Sequence, residues 1–502
     1  MTDLLDADLP LWPLVERRAA ATPAALFAVD ERDRTLTFAQ YRDAVLQAAA
    51  GLAARGVGAG TVVSWQLPTR LEALVLVAAL ARLGAVQNPI LPFLREREVG
   101  FIVRQLGARV LIVPTVFRGF DHAAMARTLA RDTAGLDVLV ADDALPDGDP
   151  AVLPPFAGAH DVRWVLYSSG TTADPKGVRH VDRAVGLAGR AIVERFAMRA
   201  DDRNALVFPL THIGGIAWLF AGLIAGSAHV LVEAFDPKTS IDVLARHRAT
   251  VLGAGTVFHQ AYLAVQRERG GASILPGARL FPGGGAPKPP GLHAEVKRTF
   301  GGAGIVAGYG LTEYPIVTQS AVGDPDDKLA ACEGRATRGT EIRIVDGEIR
   351  VRGPHLFQGY VDARLDADAF DADGFFRTGD LGHLDAQGFL TVTGRLKDVI
   401  IRKGENLSAK EIEDHLSAHP AVLEAAVVGL PDAERGELAC AVVALRDAGA
   451  PLSLADLAAF LRGRGLAAQK IPERLELVVA LPRNASGKVV KRELQVRFGA
   501  KA

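Results

Sequence analysis

Residues 167–178 read YSSGTTADPKGV. Ser168, Ser169, Thr171 and Thr172 surround Gly170, and Lys176 stands between Pro175 and Gly177. Hydroxyls donate hydrogen bonds to phosphate oxygens, and glycines let backbone N–H groups come close to them. A lysine adds a mobile point charge. The stretch therefore describes a loop that holds a polyphosphate. It is not the common nucleotide loop, which has glycine just before the lysine and Ser or Thr just after it. A solvated turn is the plainer reading of such a composition, and the company the loop keeps along the chain argues against it. The apolar run VRWVL (162–166) precedes it and predicts a buried strand. The loop then sits at a strand end, where α/β folds gather their ligands.

Four further motifs follow in order: FPGGGAP (281–287), GYGLTE (308–313), RTGDLG (377–382) with GRLKD (394–398), and PRNASGK (482–488). Each has a bland reading alone. Three glycines are usually a loop, Glu313 could be a surface carboxylate, and Lys488 shares its tail with Arg483, Lys491, Arg492, Arg497 and Lys501. Together with the first loop they closely resemble the adenylate-forming superfamily: acyl-CoA synthetases, amino-acid-activating domains of peptide synthetases, and beetle luciferases. The resemblance covers nearly the whole chain. With NPILPFLREREVGFIVRQ (88–105), the overall look is similar to stand-alone acyl-CoA ligases such as cyclohexanecarboxylate–CoA ligase.

The resemblance implies a chemistry with a clear rationale. A carboxylate is a poor electrophile because oxide would have to leave. Attack of the carboxylate on the α-phosphorus of ATP gives an acyl adenylate and pyrophosphate, and AMP then leaves readily. Two anions must meet, so cations and donors are needed. By resemblance, Ser168, Ser169, Gly170, Thr171, Thr172 and Lys176 clamp the phosphates. Glu313, with Thr171, holds Mg²⁺, which favours oxygen ligands; Thr312 lies near the α-phosphate. Gly284, Gly285 and Ala286 lie flat against adenine, and Gly308, Tyr309 and Gly310 complete that wall, with Tyr309 stacking. Asp380 accepts the ribose hydroxyls, a device shared with dinucleotide sites, and Arg395 supports it. Lys488 reaches the α-phosphate and the attacking carboxylate, where negative charge concentrates in the transition state.

The same resemblance places a hinge at Lys397, about which a C-terminal domain rotates between half-reactions. Lys403, Gly404 and Glu405 then replace Lys488 and open a path for the CoA thiol. His212 resembles a gate beside an acyl pocket that includes Gly214, Gly215, Trp218 and Gly283. Amino-acid-activating relatives usually carry an aspartate near this gate; here no acid occurs between Arg203 and Glu233. A hydrophobic acid is therefore expected. The expected ligands are ATP, Mg²⁺, CoA and a small carboxylic acid. Loading of a carrier protein, or a non-catalytic nucleotide-binding role, are the rival readings; no carrier domain follows in the sequence. One departure is Ala173, where the phosphate loop usually has glycine.

The elements that must position these residues are also legible. Strand-like runs at 61–67, 108–113, 204–210, 249–254 and 303–310 alternate with helical patterns such as Leu71–Leu83 and 237–247. That pattern predicts an α/β fold with doubly wound sheets. After about residue 335, short alternating runs broken by glycine predict a small β-barrel unit, with a hairpin at Asp385-Ala386-Gln387-Gly388. Ser408 and Glu411 form a capping-box pattern, which opens a smaller mobile α+β domain. The expected division is 1–394, holding the β unit at about 335–394, and 395–502.

Of 502 residues, 49% are hydrophobic, and 57 Lys+Arg balance 58 Asp+Glu to a net charge of −1. Such a balance gives no pull toward nucleic acid or membrane. Two distant cysteines suggest neither a disulfide framework nor a metal site. Asp3, Asp6 and Asp8 do not suit a signal peptide, and a cytoplasmic location is expected. The uncharged stretch 213–232 is long enough to span a bilayer, but its glycines, Ser227 and His229 predict a buried helix, a turn and a core strand instead. The sequence leaves the oligomeric state open, a homodimer included.

Overall fold

The computed structural model describes residues 8–156, 158, 162–168, 175–253, 255–285, 288–403, 405–432, 434–447, 449, 451–483 and 488–499. Two sheets dominate the first part. One has six strands, in which Val62–Trp65, Val86–Pro89, Val110–Val113, Asp137–Val140 and Trp164–Ser168 run parallel and Lys176–His180 is antiparallel at the edge. The other has five strands, with Arg203–Leu206, Ala228–Leu231, Val251–Leu252 and Leu26–Val29 parallel and Thr35–Thr37 antiparallel. Helices cover both sheets. Leu71–Leu83 is apolar on nearly every side because it is buried on nearly every side. Ile213–Ala225 is likewise a core helix, stopped by Gly226 in the left-handed conformation, and the chain then enters Ala228–Leu231. Among the described residues no helix is long and apolar enough to cross a membrane.

A buried carboxylate ties these layers together at the base of the expected phosphate loop. Asp182 opens the helix Asp182–Arg195 and is 2% exposed. Its Oδ2 accepts from the Leu11 amide at 2.9 Å and its Oδ1 from the Trp164 indole at 2.7 Å. Trp164 begins the strand that leads to Ser168. Asp182→Ala leaves two buried donors without a partner, and the expected loss is about 3 kcal/mol of stability, read by chemical denaturation.

Strands Glu341–Val345, Glu348–Arg352, Phe376–Leu384 and Leu390–Arg395 form an antiparallel sheet in sequence order. Its pairing stays open between the first and last strands. The expected hairpin is present: Asp385 Oδ1 accepts from the amides of Gln387 (2.8 Å) and Phe389 (2.9 Å). The turn Leu396–Asp398 separates Arg395 from Val399, which starts the last sheet. That sheet joins Val399–Arg402, Glu405–Ser408, Val422–Asp432, Gly436–Leu445 and Arg474–Val478 around its own apolar core. Ser408 caps the helix Ala409–Ser417 through the Glu411 amide at 3.3 Å, and Ile412 and Leu416 face inward.

Candidate active site

Thr312 and Glu313 occupy a two-residue turn between Ile305–Leu311 and Tyr314–Gln319, with Leu311 paired to Tyr314. Glycine is required just before it. A Cβ on Gly310 would lie 2.1 Å from the Pro315 carbonyl oxygen, so any side chain there would force the strands apart. Two residues hold the turn. The Tyr360 hydroxyl donates to Glu313 Oε1 at 2.8 Å, and His180 Nε2 donates to the Thr312 carbonyl at 2.7 Å. Burial pushes the His180 imidazole down to about 4, so it acts as a neutral donor. Lys176 and His180 lie on one strand, and Ser168 pairs with Lys176 across the hairpin. The Lys176 ammonium sits 5.4 Å from the centre of the Tyr360 ring. The described ends of the expected phosphate loop and the Glu313 turn thus share one wall.

Asp380 comes from the strand Phe376–Leu384. It is 4% exposed, its Oδ2 accepts from the Tyr309 hydroxyl at 2.7 Å, and its Oδ1 pairs with Arg395 Nε at 2.7 Å. Arg395 is its cross-strand neighbour. Each carboxylate oxygen has a second lone pair, so acceptor capacity remains for a ribose. The tie to Asp380 also fixes the Tyr309 ring. Burial first, and then Asp380, hold the Tyr309 hydroxyl well above its ordinary pKa, so it remains a donor.

Lys488 enters the same cleft. Loss of hydration holds its ammonium below the usual lysine range; Arg395 and Lys397 add to this, while Asp380 and Glu313 oppose it. Those four side chains are therefore its electrostatic surroundings. His212 is near enough to feel Lys488. Burial, and then that ammonium, push it down to about 4. Both side chains are exposed to solvent, so they stand at an open rim and not in a closed pocket. His212 also caps Ile213–Ala225, its Nδ1 accepting from the Gly214 amide at 3.1 Å.

Not every nominated residue joins this group. Trp218, expected in the acyl pocket, is 7% exposed and stacks on Phe196 in the core, ring centres 5.9 Å apart. It sits six residues past His212, deep in a helix that is buried almost all round. Gly215 packs against the backbone, where a Cβ would lie 2.6 Å from the Pro209 oxygen. Gly283 and Gly284 lie beside the strand Ile305–Leu311; a Cβ on Gly284 would meet the Gly308 oxygen at 3.3 Å. Gly285 has φ +75°, which favours glycine. Lys403 and Glu405 are exposed around a hairpin tip, where the Lys403 amide donates to the Arg435 carbonyl at 2.8 Å. The cleft is thus occupied by Lys488, with the tip packed against a different turn. Ser169, Gly170, Thr171, Thr172, Ala173, Ala286 and Gly404 lie outside the described residues.

Tyr360 and His180 were not nominated by the sequence. His180 could have been found, because Lys176, Val178 and His180 share one face of an extended strand. Tyr360 is brought in from far along the chain and carries no local signal.

The residues present suit Mg²⁺. Among the described residues no cluster of three or more His, Cys, Asp or Glu could hold a metal alone. Mg²⁺ usually binds through one or two carboxylates together with substrate phosphates and water. Glu313 offers one such carboxylate, with Oε2 left by Tyr360 for another partner.

Comparison with known proteins agrees with this geometry. The AMP-binding enzyme model matches residues 15–361, and the AMP-binding enzyme C-terminal domain matches 411–488. The chain is 30% identical to the medium-chain fatty-acid–CoA ligase of Escherichia coli K12, over 96% of this chain and 89% of that one. It is 34% identical to the salicyl-AMP ligase / salicyl-S-ArCP synthetase of Mycobacterium tuberculosis, over 95% and 88%. The structure of ATP-bound MatB from Rhodopseudomonas palustris superposes with a TM-score of 0.89 at 28% identity, covering 99% of both chains. O-succinylbenzoate coenzyme A synthetase from Bacillus subtilis, in complex with ATP and magnesium ion, gives 0.83 at 28% identity, covering 97% and 99%. The chain belongs to the AMP-binding enzyme family, the adenylate-forming superfamily, and is an enzyme of the AMP-forming acyl-CoA synthetase type.

Proposed function

We propose that the protein activates a hydrophobic carboxylic acid with ATP, releases pyrophosphate, and passes the acyl group from the adenylate to CoA. The observation that carries this reading is the convergence of Lys488, Asp380 and Glu313, which lie far apart in sequence, on one cleft. In it, Asp380 orients the ribose and Tyr309 lies against the base. The phosphate loop and Lys176 hold the outer phosphates. The Lys488 ammonium draws the acid's carboxylate to the α-phosphorus and balances the charge that builds there. His212, neutral at physiological pH, borders the acid without adding a competing cation. Mg²⁺ held by Glu313 would neutralise phosphate charge.

For the second step, the domain from 395 onward rotates about Lys397 and carries the 403–405 turn into the cleft as Lys488 leaves. The turn Leu396–Asp398 supports this: it is short, and Leu396 on it is 48% exposed, so few packed contacts resist motion there. A cytoplasmic location fits the supply of ATP and CoA.

Glu313→Gln keeps the Tyr360 contact but removes the charge. The expected result is a rise of about 10- to 100-fold in KM for Mg-ATP, measured by magnesium titration of pyrophosphate release. Unchanged magnesium dependence would remove Glu313 from the site. The acceptor is tested by product analysis across a panel of alicyclic, aromatic and medium-chain acids. CoA thioester is expected; turnover only with a carrier protein would favour the carrier-loading reading, in keeping with the name of the salicyl-AMP relative.

A further inference from the structure

The segment 357–361 runs antiparallel along the outer edge of the strand Lys176–His180. The Gln358 amide donates to the Arg179 carbonyl at 2.8 Å, the Val361 amide donates to the Gly177 carbonyl at 2.8 Å, and Tyr360 bridges to Val178. At the near end of the segment, the Phe357 amide donates to the Glu313 carbonyl at 2.9 Å. This short stretch therefore joins the Glu313 turn to the Lys176 strand. Tyr360 is fixed within it. Its amide donates to Asp366 Oδ1 at 2.9 Å, its ring packs edge-on against Phe357 with centres 4.8 Å apart, and the residue is 4% exposed.

A phenol offers two different surfaces: a hydroxyl that donates a hydrogen bond, and a ring face that attracts a cation. Tyr360 uses them on groups of opposite charge. The hydroxyl meets Glu313 Oε1 at 2.8 Å, and the Lys176 ammonium stands over the ring, 5.4 Å from its centre. Burial, and then Glu313, hold that hydroxyl above the ordinary phenol pKa, so it stays a donor. Among the described residues the Lys176 ammonium has no hydrogen-bond or ion-pair partner, so its donors are left for a phosphate. One rigid side chain thus touches the carboxylate suited to Mg²⁺ and the lysine suited to the outer phosphates. A carboxylate that is already hydrogen-bonded needs less ordering when a metal arrives.

We propose that Tyr360 is a positioning residue for the metal-bound nucleotide: its hydroxyl aims the Glu313 carboxylate at the metal, and its ring seats Lys176 beside the phosphates. The proposal rests on the ATP-site reading above and deepens it. Tyr360 acts through these two neighbours and makes or breaks no bond itself.

Calorimetric titration of the full-length enzyme with ATP, without acid, in magnesium and in EDTA, reads the two contacts separately. Tyr360→Phe keeps the ring and loses the hydroxyl. It should cut the magnesium-dependent gain in ATP affinity about tenfold and leave the affinity in EDTA unchanged. Tyr360→Leu loses both surfaces and should also weaken ATP binding in EDTA about two- to fivefold, the worth of an exposed cation–π contact. In turnover of any accepted acid, Tyr360→Phe should raise the half-saturating magnesium concentration about tenfold, while kcat at saturating magnesium falls far less. A residue needed only for packing would lower activity at every magnesium concentration. An unchanged magnesium-dependent gain in Tyr360→Phe, or equal losses in magnesium and in EDTA, would overturn the proposal; so would wild-type ATP affinity that ignores magnesium. If the magnesium effects appear as described but no acid releases pyrophosphate, the positioning role stands and the acid-activation reading falls.

Discussion

Lys488→Ala lowers the rate of acyl-adenylate formation by about 10²- to 10³-fold, the cost of removing one well-placed charge from a transition state. Thioester formation from supplied acyl adenylate falls much less, because the proposed second step no longer uses this ammonium. The two rates are separated by pyrophosphate release in single turnover and by thioester formation from synthetic adenylate. Equal loss in both would contradict the assigned role. A pH signature accompanies it. Lys488 acts as a cation, and desolvation, with Arg395 and Lys397 close by, holds its pKa below the ordinary lysine value. Raising the pH therefore removes the active form earlier than for a solvated lysine, so adenylation declines on an early alkaline limb. Lys488→Arg, which stays protonated, should move that limb to higher pH even if the rate is lower. The acidic side is not set by His212, which takes up a proton only near about 4.

Lys397→Pro leaves adenylation nearly intact and reduces thioester formation from supplied adenylate by about 10²-fold or more. Proline fixes φ near −65°, and a hinge works by letting backbone angles change. The residue lies in the turn Leu396–Asp398, between the sheet that carries Asp380 and Arg395 and the sheet that begins at Val399. The structure holds Lys488 in the cleft and the Lys403 amide on Arg435, the arrangement proposed for the first half-reaction. Locking the turn in that arrangement should spare the step it serves. Loss of both steps would point to damaged folding at the turn; loss of neither would remove Lys397 as the pivot.

Much of the fold was legible because the elements near the site carry strong local signals. Leu71–Leu83 has a helical apolar run ended by Gly84, and it forms where expected. The stretch 213–232 looked long enough for a membrane span, but Gly226 and Ser227 divide it into a core helix and a strand. Strand ends follow the apolar pattern less closely: the run 249–254 holds the strand Val251–Leu252, since apolarity outlasts hydrogen-bonded pairing.

The site was legible where a motif has its own backbone reason. GYGLTE shows a turn that only glycine permits at Gly310, presenting Thr312 and Glu313. It was not legible where function depends on side chains from distant segments. Nothing near Tyr360 says that its hydroxyl meets Glu313. Trp218 shows the reverse error: proximity in sequence to His212 suggested the pocket, but helical rotation turns it into the core.

The most direct test follows the oxygen of the acid. With a carboxylate labelled with ¹⁸O in both oxygens, attack at the innermost phosphorus of ATP leaves one labelled oxygen bridging acyl group and AMP. Thiol attack at the carbonyl then expels AMP carrying that oxygen. Mass spectrometry should find the label in AMP, with unlabelled pyrophosphate formed in equal amount. Label in inorganic phosphate with ADP as co-product, or no transfer from any acid in the panel, would contradict the account.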